Sequence, residues 1–514
     1  MSEQRTLVSA HPPGEQPAVE PSAAGPIPVE TYAGRIDVEW APDAAVTPLG
    51  QLPFFIEYLK HAGLFDGWVA GCPIQYTSPN APSKRDLLGT VLLSVLSGHW
   101  RYAHIAALRA DTVTPPLLGM KKVLSEDAVR RGLAKIDPAA SAAWLRENLD
   151  YATRPLLSEP WILDVDTTVK PLFGHQEGAV VGYNPAKPGR PSHSYHTYSI
   201  ANLRLVLDVE VHDGNQTAAK YGAPGLWALL DRVGRDRWPR LLRGDTGWGN
   251  EAVMREAEQR GLAYLFRIRM TRNVARAIER TANGPWSDAG QGWQGQSIDL
   301  RLDGWGRQRR VVLLRRKLEG TLAIREQDAS GQQLLSFATV DTRKQVWEYG
   351  ALVTSTDAEI LTLGQAYRDR ADCENDFDEF KNQWGWAGFT TRDRARCQTM
   401  ARTVALIFNW WNLFARLADP DHHREAITTR PLLLTGIGRQ TQHAGRTTLH
   451  VTSPHARHGW ARQAFHRIGA FFADLRQTAE QLTSLEKWHR ILSRALVKYL
   501  HGRQLPPPPL LQTA

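Results

Sequence analysis

The chain has few cysteines for its length and no long apolar run. Its 514 residues include only Cys72, Cys373 and Cys397, with no CxxC pair. This pattern argues against both a disulfide framework and a zinc site, and it fits a reducing cytoplasm. No apolar stretch of about 18 residues is present, and the N-terminus lacks an apolar segment followed by a cleavage site. We therefore expect a cytoplasmic protein that is neither secreted nor inserted in a membrane.

What the chain does have is a modest excess of positive charge. Lysine and arginine number 62 against 53 aspartate and glutamate, so the formal net charge is +9 and the pI is near 9.4. Such a balance favours a polyanionic partner, although an excess of this size does not by itself establish nucleic-acid binding. In the cytoplasm it is consistent with a nucleoid-associated protein. At about 150 residues per domain, the length predicts three or four domains.

Composition and periodicity predict an α/β protein with helical regions at both ends. Residues 1–35 are rich in Pro, Ala, Glu and Ser and are expected to be disordered. Apolar residues recur at helical spacing between Leu87 and Val95, whereas Leu205 to Val211 alternate as in a strand. The predicted segments are a disordered tail (1–35), a helical N-terminal DNA-binding domain (36–150), the first part of a mixed-sheet core (151–283), a β-strand insertion (284–352), the second part of the core (353–415), a C-terminal helical region (416–505) and a Pro-rich tail (506–514).

Four residues in the second part of the core form a stripe on a predicted helix over about 358–383. Tyr367, Arg370, Glu374 and Lys381 lie three, four and seven residues apart, which places them within an arc of about 60° at roughly 100° per residue. A carboxylate flanked by two cations and a tyrosine suits a metal ion on one side and a phosphate on the other. The alternative is a solvated helix face on which Arg370 and Glu374 form an i,i+4 pair.

Carboxylates also occur on or after two predicted strands. Asp164 and Asp166 are two residues apart on a strand and therefore point to the same side, while Asp245 follows the short run Leu241-Leu242. If the two strands are neighbours, Asp166, Asp245 and Glu374 can converge. Three close carboxylates repel one another unless divalent cations neutralise them, so we expect a pair of Mg²⁺ ions that promote in-line displacement at a phosphodiester.

The stripe and the acids lie in blocks that resemble a known family. The pattern Tyr367-x2-Arg370-x3-Glu374-x6-Lys381 resembles the signature helix of IS4-type DDE transposases, and the surrounding blocks resemble the IS1380 family in particular. These blocks are LDVDTT (163–168), GYNP (182–185), RGDTG (243–247) and YRDRADCEN (367–375). The resemblance covers about residues 48–500. It implies an RNase H-like catalytic core with a β-strand insertion between the second and third acids.

Matching residue by residue, the resemblance implies Asp166, Asp245 and Glu374 as the catalytic, metal-binding triad. Asp164 stays open as the alternative first acid, because the strand geometry permits either. Tyr367, Arg370 and Lys381 are implied to bind DNA phosphates. Two Mg²⁺ ions, for which Mn²⁺ can substitute, are the implied cofactors.

Two further groups of residues are candidates for DNA contacts. In related enzymes an aromatic residue of the insertion stacks on a flipped base, and the tryptophans in the corresponding region here are Trp286, Trp293, Trp305 and Trp347. In the N-terminal region, Ser125 is predicted to cap a short basic helix compatible with DNA reading. Its candidates are Lys121, Lys122, Arg130, Arg131 and Lys135. The ordinary alternatives are packed tryptophans and solvated surface charge.

The resemblance implies a DNA transposase. It would cut at the terminal inverted repeats of a transposon and join the 3′-hydroxyl ends to target DNA, acting as a homodimer or higher multimer. The alternatives are a catalytically inactive or host-adopted DNA-binding protein derived from a transposase, and an RNase H-like nuclease without strand transfer. The sequence does not determine the repeat and target sequences, the route of excision or the number of protomers.

Overall fold

The computed structural model describes residues 25–184, 187–318, 339–340, 346–452, 455–477 and 482–508, with the backbone alone described at 339–340 and 371–375. The chain divides into two compact units, residues 1–44 and 45–514. In the first unit, β1 (Ile27–Thr31) and β2 (Gly34–Val38) pair as an antiparallel hairpin. Residues 27–35 therefore form a hairpin where composition predicted disorder, because two short β-branched runs flank a turn at Gly34, whose φ is +110°.

The second unit combines a long mixed sheet with many helices. Its strands are β3 (Val46–Thr47), β4 (Ile162–Pro171), β5 (Val180–Val181), β6 (Pro191–Ile200), β7 (Leu205–Asp213), β8 (Leu241–Gly244), β9 (Tyr264–Arg267), β10 (Ser287–Gly290), β11 (Trp293–Leu300), β12 (Arg309–Lys317), β13 (Thr339–Val340), β14 (Val346–Thr354), β15 (Gly438–His443) and β16 (Arg446–Val451).

Helices precede, interrupt and follow these strands. They are α1 (Leu52–His61), α2 (Leu64–Ala70), α3 (Lys84–Leu96), α4 (Thr114–Leu117), α5 (Glu126–Leu133), α6 (Pro138–Thr153), α7 (Ala223–Val233), α8 (Glu251–Gln259), α9 (Arg272–Thr281), α10 (Ile360–Arg368), α11 (Ala371–Asn382), α12 (Arg394–Ala418), α13 (Ala426–Leu433), α14 (His458–Gln477) and α15 (Ser484–Ala495). None of the described helices is long and apolar enough to span a membrane.

The main sheet has a mixed centre. Within the described residues it runs β10-β11-β12-β14-β9-β8-β4-β6-β5, with β7 also paired to β6 and β13 to β14. Strands β4, β6 and β7 form an antiparallel meander, whereas β8 lies parallel to β4 and β9 parallel to β8. Helix α7 precedes β8 and helix α8 precedes β9, as expected for the crossover connections between parallel strands. The carboxyl ends of β4, β8 and β9 consequently share one edge of the sheet.

The strands between residues 287 and 354 extend this sheet. Strand β14 pairs antiparallel with β9, and β12, β11 and β10 follow outward in order. The predicted β insertion (284–352) thus corresponds to strands that continue the central sheet. Together with the flanking helices, this architecture confirms the predicted α/β class with a mixed sheet.

One buried helix joins the sheet to the N-terminal helices. Helix α12 packs against β7 on one side and against α1, α6 and α15 on others. The larger of two hydrophobic clusters in the described residues includes buried side chains from Leu49 to Leu505. The helices of residues 52–153 therefore share their core with the sheet.

Two predicted helical stretches differ from the structure. The helix predicted over 358–383 begins at Ile360, with Glu359 at its N-cap, and is broken at Asp369–Arg370 into α10 and α11. The stripe therefore spans two helices. The C-terminal region (416–505) is not wholly helical, because β15 and β16 form a hairpin that pairs with β3. Its strands are mostly polar and lack the apolar alternation by which a half-buried strand is recognised.

Replacing Trp410 tests the shared core. Its buried ring meets Trp68 of α2 edge-on, with 5.7 Å between ring centroids, and Trp68 stacks on Trp144 of α6 at 5.7 Å. Trp410→Ala should lower the free energy of unfolding by about 3–5 kcal/mol and shift one cooperative transition in scanning calorimetry. The control is Trp40→Ala in the first unit, where the ring is 72% exposed. Two transitions, of which only one moves, would contradict a shared core.

Candidate active site

The two strands that carry the predicted acids are direct neighbours. In the parallel pairing of β4 with β8, Asp164 lies opposite Arg243 and Val165 opposite Gly244. The next residues in this register are Asp166 and Asp245. Since neighbouring strands lie about 4.8 Å apart, the backbone brings these two aspartates side by side at the carboxyl edge of the sheet.

Asp164 is engaged in a buried ion pair. Its two carboxylate oxygens accept hydrogen bonds from Nε and Nη2 of Arg243, each at 2.6 Å. Both side chains are almost fully buried, at 3% and 1% exposure. Nη1 of Arg243 also donates to the backbone carbonyl of Ala366 in α10. Asp164 and Arg243 therefore connect two strands of the sheet to the helix that ends near Tyr367.

Asp166 lies among the cations of the stripe. Its Oδ2 is 2.5 Å from Nη2 of Arg370, and its Oδ1 accepts a hydrogen bond from the backbone N–H of Thr167 at 2.7 Å. Burial lowers the pKa of Lys381, and the carboxylates of Asp166 and Asp378 oppose that shift. Asp166 is therefore close enough to Lys381 to favour its charged form.

The charges of Asp166 and Asp245 both act on the hydroxyl of Tyr367. Burial raises the pKa of its hydroxyl, and the negative charges of Asp245 and Asp166 act in the same direction. Arg370 and Arg267 oppose this rise. Tyr367 thus lies where the charges of the two strand ends and of the stripe meet. Arg370 pairs with Asp166, and the charge of Asp166 acts on both Tyr367 and Lys381, so these three residues lie near Asp166.

Asp245 also shapes the turn that follows β8. Its Oδ1 accepts a hydrogen bond from the backbone N–H of Gly247 at 2.9 Å. Beneath this turn Trp248 is fully buried, and a Cβ added at Gly244 would lie 2.8 Å from the Trp248 Cβ. The tight approach requires glycine before the aspartate, so the turn fixes where the Asp245 carboxylate leaves the sheet.

Glu374 lies in α11, at a position where the structure describes only the backbone. Among the side chains that are described, no group of three His, Cys, Asp or Glu residues is arranged to hold a metal ion. Of the predicted triad, the sheet register defines the relative positions of Asp166 and Asp245.

Arg267 is a functional candidate that sequence reasoning missed. In the parallel pairing of β8 with β9, Gly244 lies opposite Phe266, so Asp245 and Arg267 are next in register. The charge of Arg267 also acts on Tyr367. The sequence carries a signal for it, since Arg267 stands near the end of the largely apolar run 263–268, and α/β proteins place functional groups at the carboxyl ends of such strands.

Each of the four tryptophans predicted as base-stacking candidates has an arginine over its ring; they are Trp286, Trp293, Trp305 and Trp347. Trp305 is buried and the other three are half-buried. Distances from the guanidinium carbon to the ring centroid are 4.1 Å for Arg315–Trp286, 4.5 Å for Arg315–Trp347, 4.9 Å for Arg316–Trp293 and 5.4 Å for Arg309–Trp305. These rings therefore pack against arginine side chains.

The predicted basic helix of the N-terminal region is α5. Ser125 caps it by accepting from the N–H of Ala128, as the sequence predicted. All five cations of this region, Lys121, Lys122, Arg130, Arg131 and Lys135, are exposed. Arg130 pairs with Glu126 at 3.5 Å and Arg131 with Asp127 at 3.1 Å, both i,i+4 along the helix. Exposed pairs of this kind are weak, so the arginines stay free to exchange partners.

Further along β4, Lys170 ties the strand to the loop after α11. Lys170 is buried, and its ammonium donates hydrogen bonds to the carbonyl oxygen of Gly388 and to the hydroxyl of Tyr195. Burial lowers the pKa of Lys170 to about 8. The contact fixes the segment that leads from the stripe to α12.

Comparison with known proteins identifies a family. A family model described as "Transposase DDE domain group 1" matches residues 80–470, which is most of the chain. No curated protein sequence matches the chain. Among solved structures, the chain is similar to the piggyBac transposase in a synaptic complex with hairpin DNA, at 10% sequence identity over 91% of this chain and 87% of that one. The TM-score of this match is 0.35.

Breaking the buried pair tests its structural role. Asp164→Asn should lower the free energy of unfolding by about 3–5 kcal/mol, because it leaves the Arg243 cation buried without its partner. The double variant Asp164→Leu/Arg243→Met should recover most of that loss in chemical denaturation. Asp378→Asn, an exposed position on α11, is the control. Equal or additive losses in the double variant would contradict this role.

Lys170 predicts a pH-dependent stability. Between pH 8 and the usual lysine pKa of 10.5, the unfolded chain holds a proton that the folded chain has released. The free energy of unfolding should therefore rise with pH across this window, and the cost of the buried charge should be fully present below it. Relative to Lys170→Met, the wild type should gain roughly 2–3 kcal/mol. Urea denaturation at several pH values measures this difference, and a constant difference would refute the prediction.

Proposed function

The chain belongs to the transposase DDE domain group 1 family, and from that premise we propose that Asp166, Asp245 and Glu374 form its catalytic triad for divalent-metal-dependent cleavage and joining of DNA. The observation that carries the proposal is the adjacency of Asp166 and Asp245 in the β4–β8 register, with Tyr367, Arg370 and Lys381 around them. We assign β4, β6, β7, β8 and β9, with their strand order and directions, to an RNase H-like core.

The choice of Asp166 over Asp164 rests on what each carboxylate already binds. Both oxygens of Asp164 accept hydrogen bonds from Arg243 in a site closed to solvent. A metal ion there would have to displace a buried bidentate pair, which would leave the arginine charge uncompensated. Asp166 is also buried, and its Oδ2 pairs with Nη2 of Arg370. Arg243, by contrast, binds both oxygens of Asp164. Asp166 is also nearer the carboxyl edge and next in register to Asp245. We therefore assign Asp164 a structural role as the partner of Arg243, and Asp166 the role of first catalytic acid.

The residues fit divalent cations. DDE transposases generally use such ions, and carboxylate oxygens are the ligands that Mg²⁺ prefers. Asp166, Asp245 and Glu374 would hold two Mg²⁺ ions, with Mn²⁺ as a substitute. When bound, the ions would lower the pKa of an attacking water or hydroxyl and stabilise the leaving oxygen.

The cations of the site would bind and orient the DNA backbone. Lys381 forms no ion pair with a described side chain, its side chain is half-buried, and we assign its ammonium to a phosphate oxygen. Arg370 balances the charge of Asp166 and can present its planar guanidinium to phosphate. Tyr367 stays protonated at neutral pH and is therefore a hydrogen-bond donor. Arg267, beside Asp245, adds a further positive charge to this surface.

Two displacements at phosphorus would follow one another. In the first, water attacks a phosphodiester at the transposon end, the bond from phosphorus to the 3′-oxygen breaks, and a 3′-hydroxyl and a 5′-phosphate result. In the second, that 3′-hydroxyl attacks a target phosphodiester and releases a target 3′-hydroxyl. We further propose that the chain is an IS1380-type enzyme of the cytoplasm that recognises inverted repeats through its N-terminal helices and acts as a multimer on paired ends.

Substitution of the acids tests the triad. Asp166→Asn, Asp245→Asn and Glu374→Gln should each lower metal-dependent cleavage of end-containing DNA by more than about a hundredfold, since a lost ligand costs more than the roughly 10- to 100-fold typical of an outer-shell partner. Glu279→Gln, at an exposed position on α9, is the control and should retain activity.

The products distinguish the proposed reaction from its rivals. Strand-transfer products from the wild type are expected, and cleavage without them would indicate a nuclease. End binding without cleavage by the wild type would indicate an inactive DNA-binding protein. Full cleavage by Asp245→Asn or by Asp166→Asn would contradict the assigned triad.

A further inference from the structure

An exposed aromatic patch lies beyond the carboxyl end of β4. Phe173 is 71% exposed and Tyr183 is 72% exposed, and Val180 and Val181 on β5 are exposed between them. Single exposed apolar residues are ordinary, but four between residues 173 and 183 favour an interaction surface in this segment. Phe173 and Tyr183 are the most exposed large apolar side chains that the structure describes in residues 45–508.

Two cations flank the Phe173 ring. The ammonium of Lys187 is 5.0 Å from the ring centroid, and the guanidinium carbon of Arg190 is 4.8 Å from it. Both residues are exposed, and neither forms an ion pair with a described side chain. Their positions are set by a turn, since the N–H of Lys187 donates to the buried side chain of Asn184 at 3.1 Å and the N–H of Arg190 donates to the Lys187 carbonyl at 3.2 Å.

The charge of the segment is positive. Glu177 is its single acidic residue between 172 and 190. The Oε2 of Glu177 accepts a hydrogen bond from the backbone N–H of Arg394 at the start of α12, at 3.1 Å. This carboxylate is therefore directed to a helix N-terminus, where negative charge is stabilised. The cations beside Phe173 face solvent without a neutralising acid on their own turn.

The patch continues the strand that carries Asp166. The β4–β6 register pairs Pro171 with Ser192, and the N–H of Leu172 donates to the Pro191 carbonyl at 2.8 Å. Phe173 therefore extends from the same edge of the sheet. Along the strand it lies at most about 23 Å from Asp166 at roughly 3.3 Å per residue. This span equals about seven base pairs of B-DNA at roughly 3.4 Å per pair.

We propose that Phe173, Lys187 and Arg190 form a second DNA contact in which an unstacked base lies on the phenylalanine ring and the two cations bind the flanking phosphates. The proposal rests on the proposed function, because it requires DNA as the substrate at the neighbouring acids. A flat ring accepts any base by stacking, and adjacent cations bind the backbone on either side of it. The candidate tryptophans are less suited to this role because they are less exposed: Trp305 is buried, and Trp286, Trp293 and Trp347 are half-buried.

Fluorescence anisotropy with two short labelled duplexes tests the contact. One duplex is fully paired, and the other has the same sequence with a two-nucleotide unpaired bulge. Wild-type protein should bind the bulged duplex more tightly. Phe173→Ala and Phe173→Leu should each weaken binding to the bulged duplex by about tenfold, with little change for the paired duplex, whereas Phe173→Trp should retain the preference. Lys187→Ala and Arg190→Ala should reduce the salt dependence on both duplexes.

Controls separate this contact from folding and from the acid site. Ile427→Ala removes an apolar side chain that is 69% exposed on α13 and should leave binding unchanged. Thermal unfolding of the Phe173 variants should match the wild type. Metal-dependent cleavage of end-containing DNA is measured in parallel, so a wild type that cleaves but shows no Phe173-dependent preference would overturn this contact alone.

The leucine variant distinguishes base stacking from a general apolar contact. Loss in Phe173→Ala with full binding in Phe173→Leu would mean an apolar contact with the DNA without base stacking, and would overturn the proposal. Identical binding by all variants would also overturn it. A wild type without affinity for either duplex would overturn both this contact and the proposed function.

Discussion

The buried ion pair between Asp164 and Arg243 is the interaction on which the site depends. It joins β4 to β8 through two short hydrogen bonds, and the third contact of Arg243, to the Ala366 carbonyl, adds α10. Two charges removed from water cost several kcal/mol each unless their geometry compensates. Here the bidentate geometry supplies that compensation, and it fixes both the strand register and the helix end near Tyr367.

The charge pattern at the sheet edge follows from that register. Once Asp164 is opposite Arg243, Asp166 and Asp245 are neighbours. The register of β8 with β9 then places Arg267 beside Asp245. Negative charge on two strand ends is balanced by Arg370 and Lys381 from the broken helix. The same cations that hold the carboxylates together are suited to a phosphate backbone, so one set of residues can both stabilise the site and position DNA.

The strands were predictable from the sequence because their side chains alternate or are uniformly apolar, and the end of β8 at Asp245 followed from its turn residues. The role of Asp164 was not predictable, since strand alternation gives Asp164 and Asp166 the same direction and only the partner on β8 separates them. In the sequence, Arg243 and Arg267 cannot be distinguished from ordinary surface charges. The parallel pairing of the strands places Arg243 opposite Asp164 and Arg267 beside Asp245. The break at Asp369–Arg370 was also hidden, because both residues keep helical dihedral angles.

The central claim is that divalent ions bind between Asp166 and Asp245, while Asp164 only holds the strands. Anomalous diffraction from crystals of the full chain grown with Mn²⁺ and transposon-end DNA tests it most directly. The account predicts anomalous peaks within coordination distance, about 2.0–2.2 Å, of carboxylate oxygens of Asp166 and Asp245, with the Asp164–Arg243 pair intact. Peaks on Asp164, with Arg243 displaced, would contradict it.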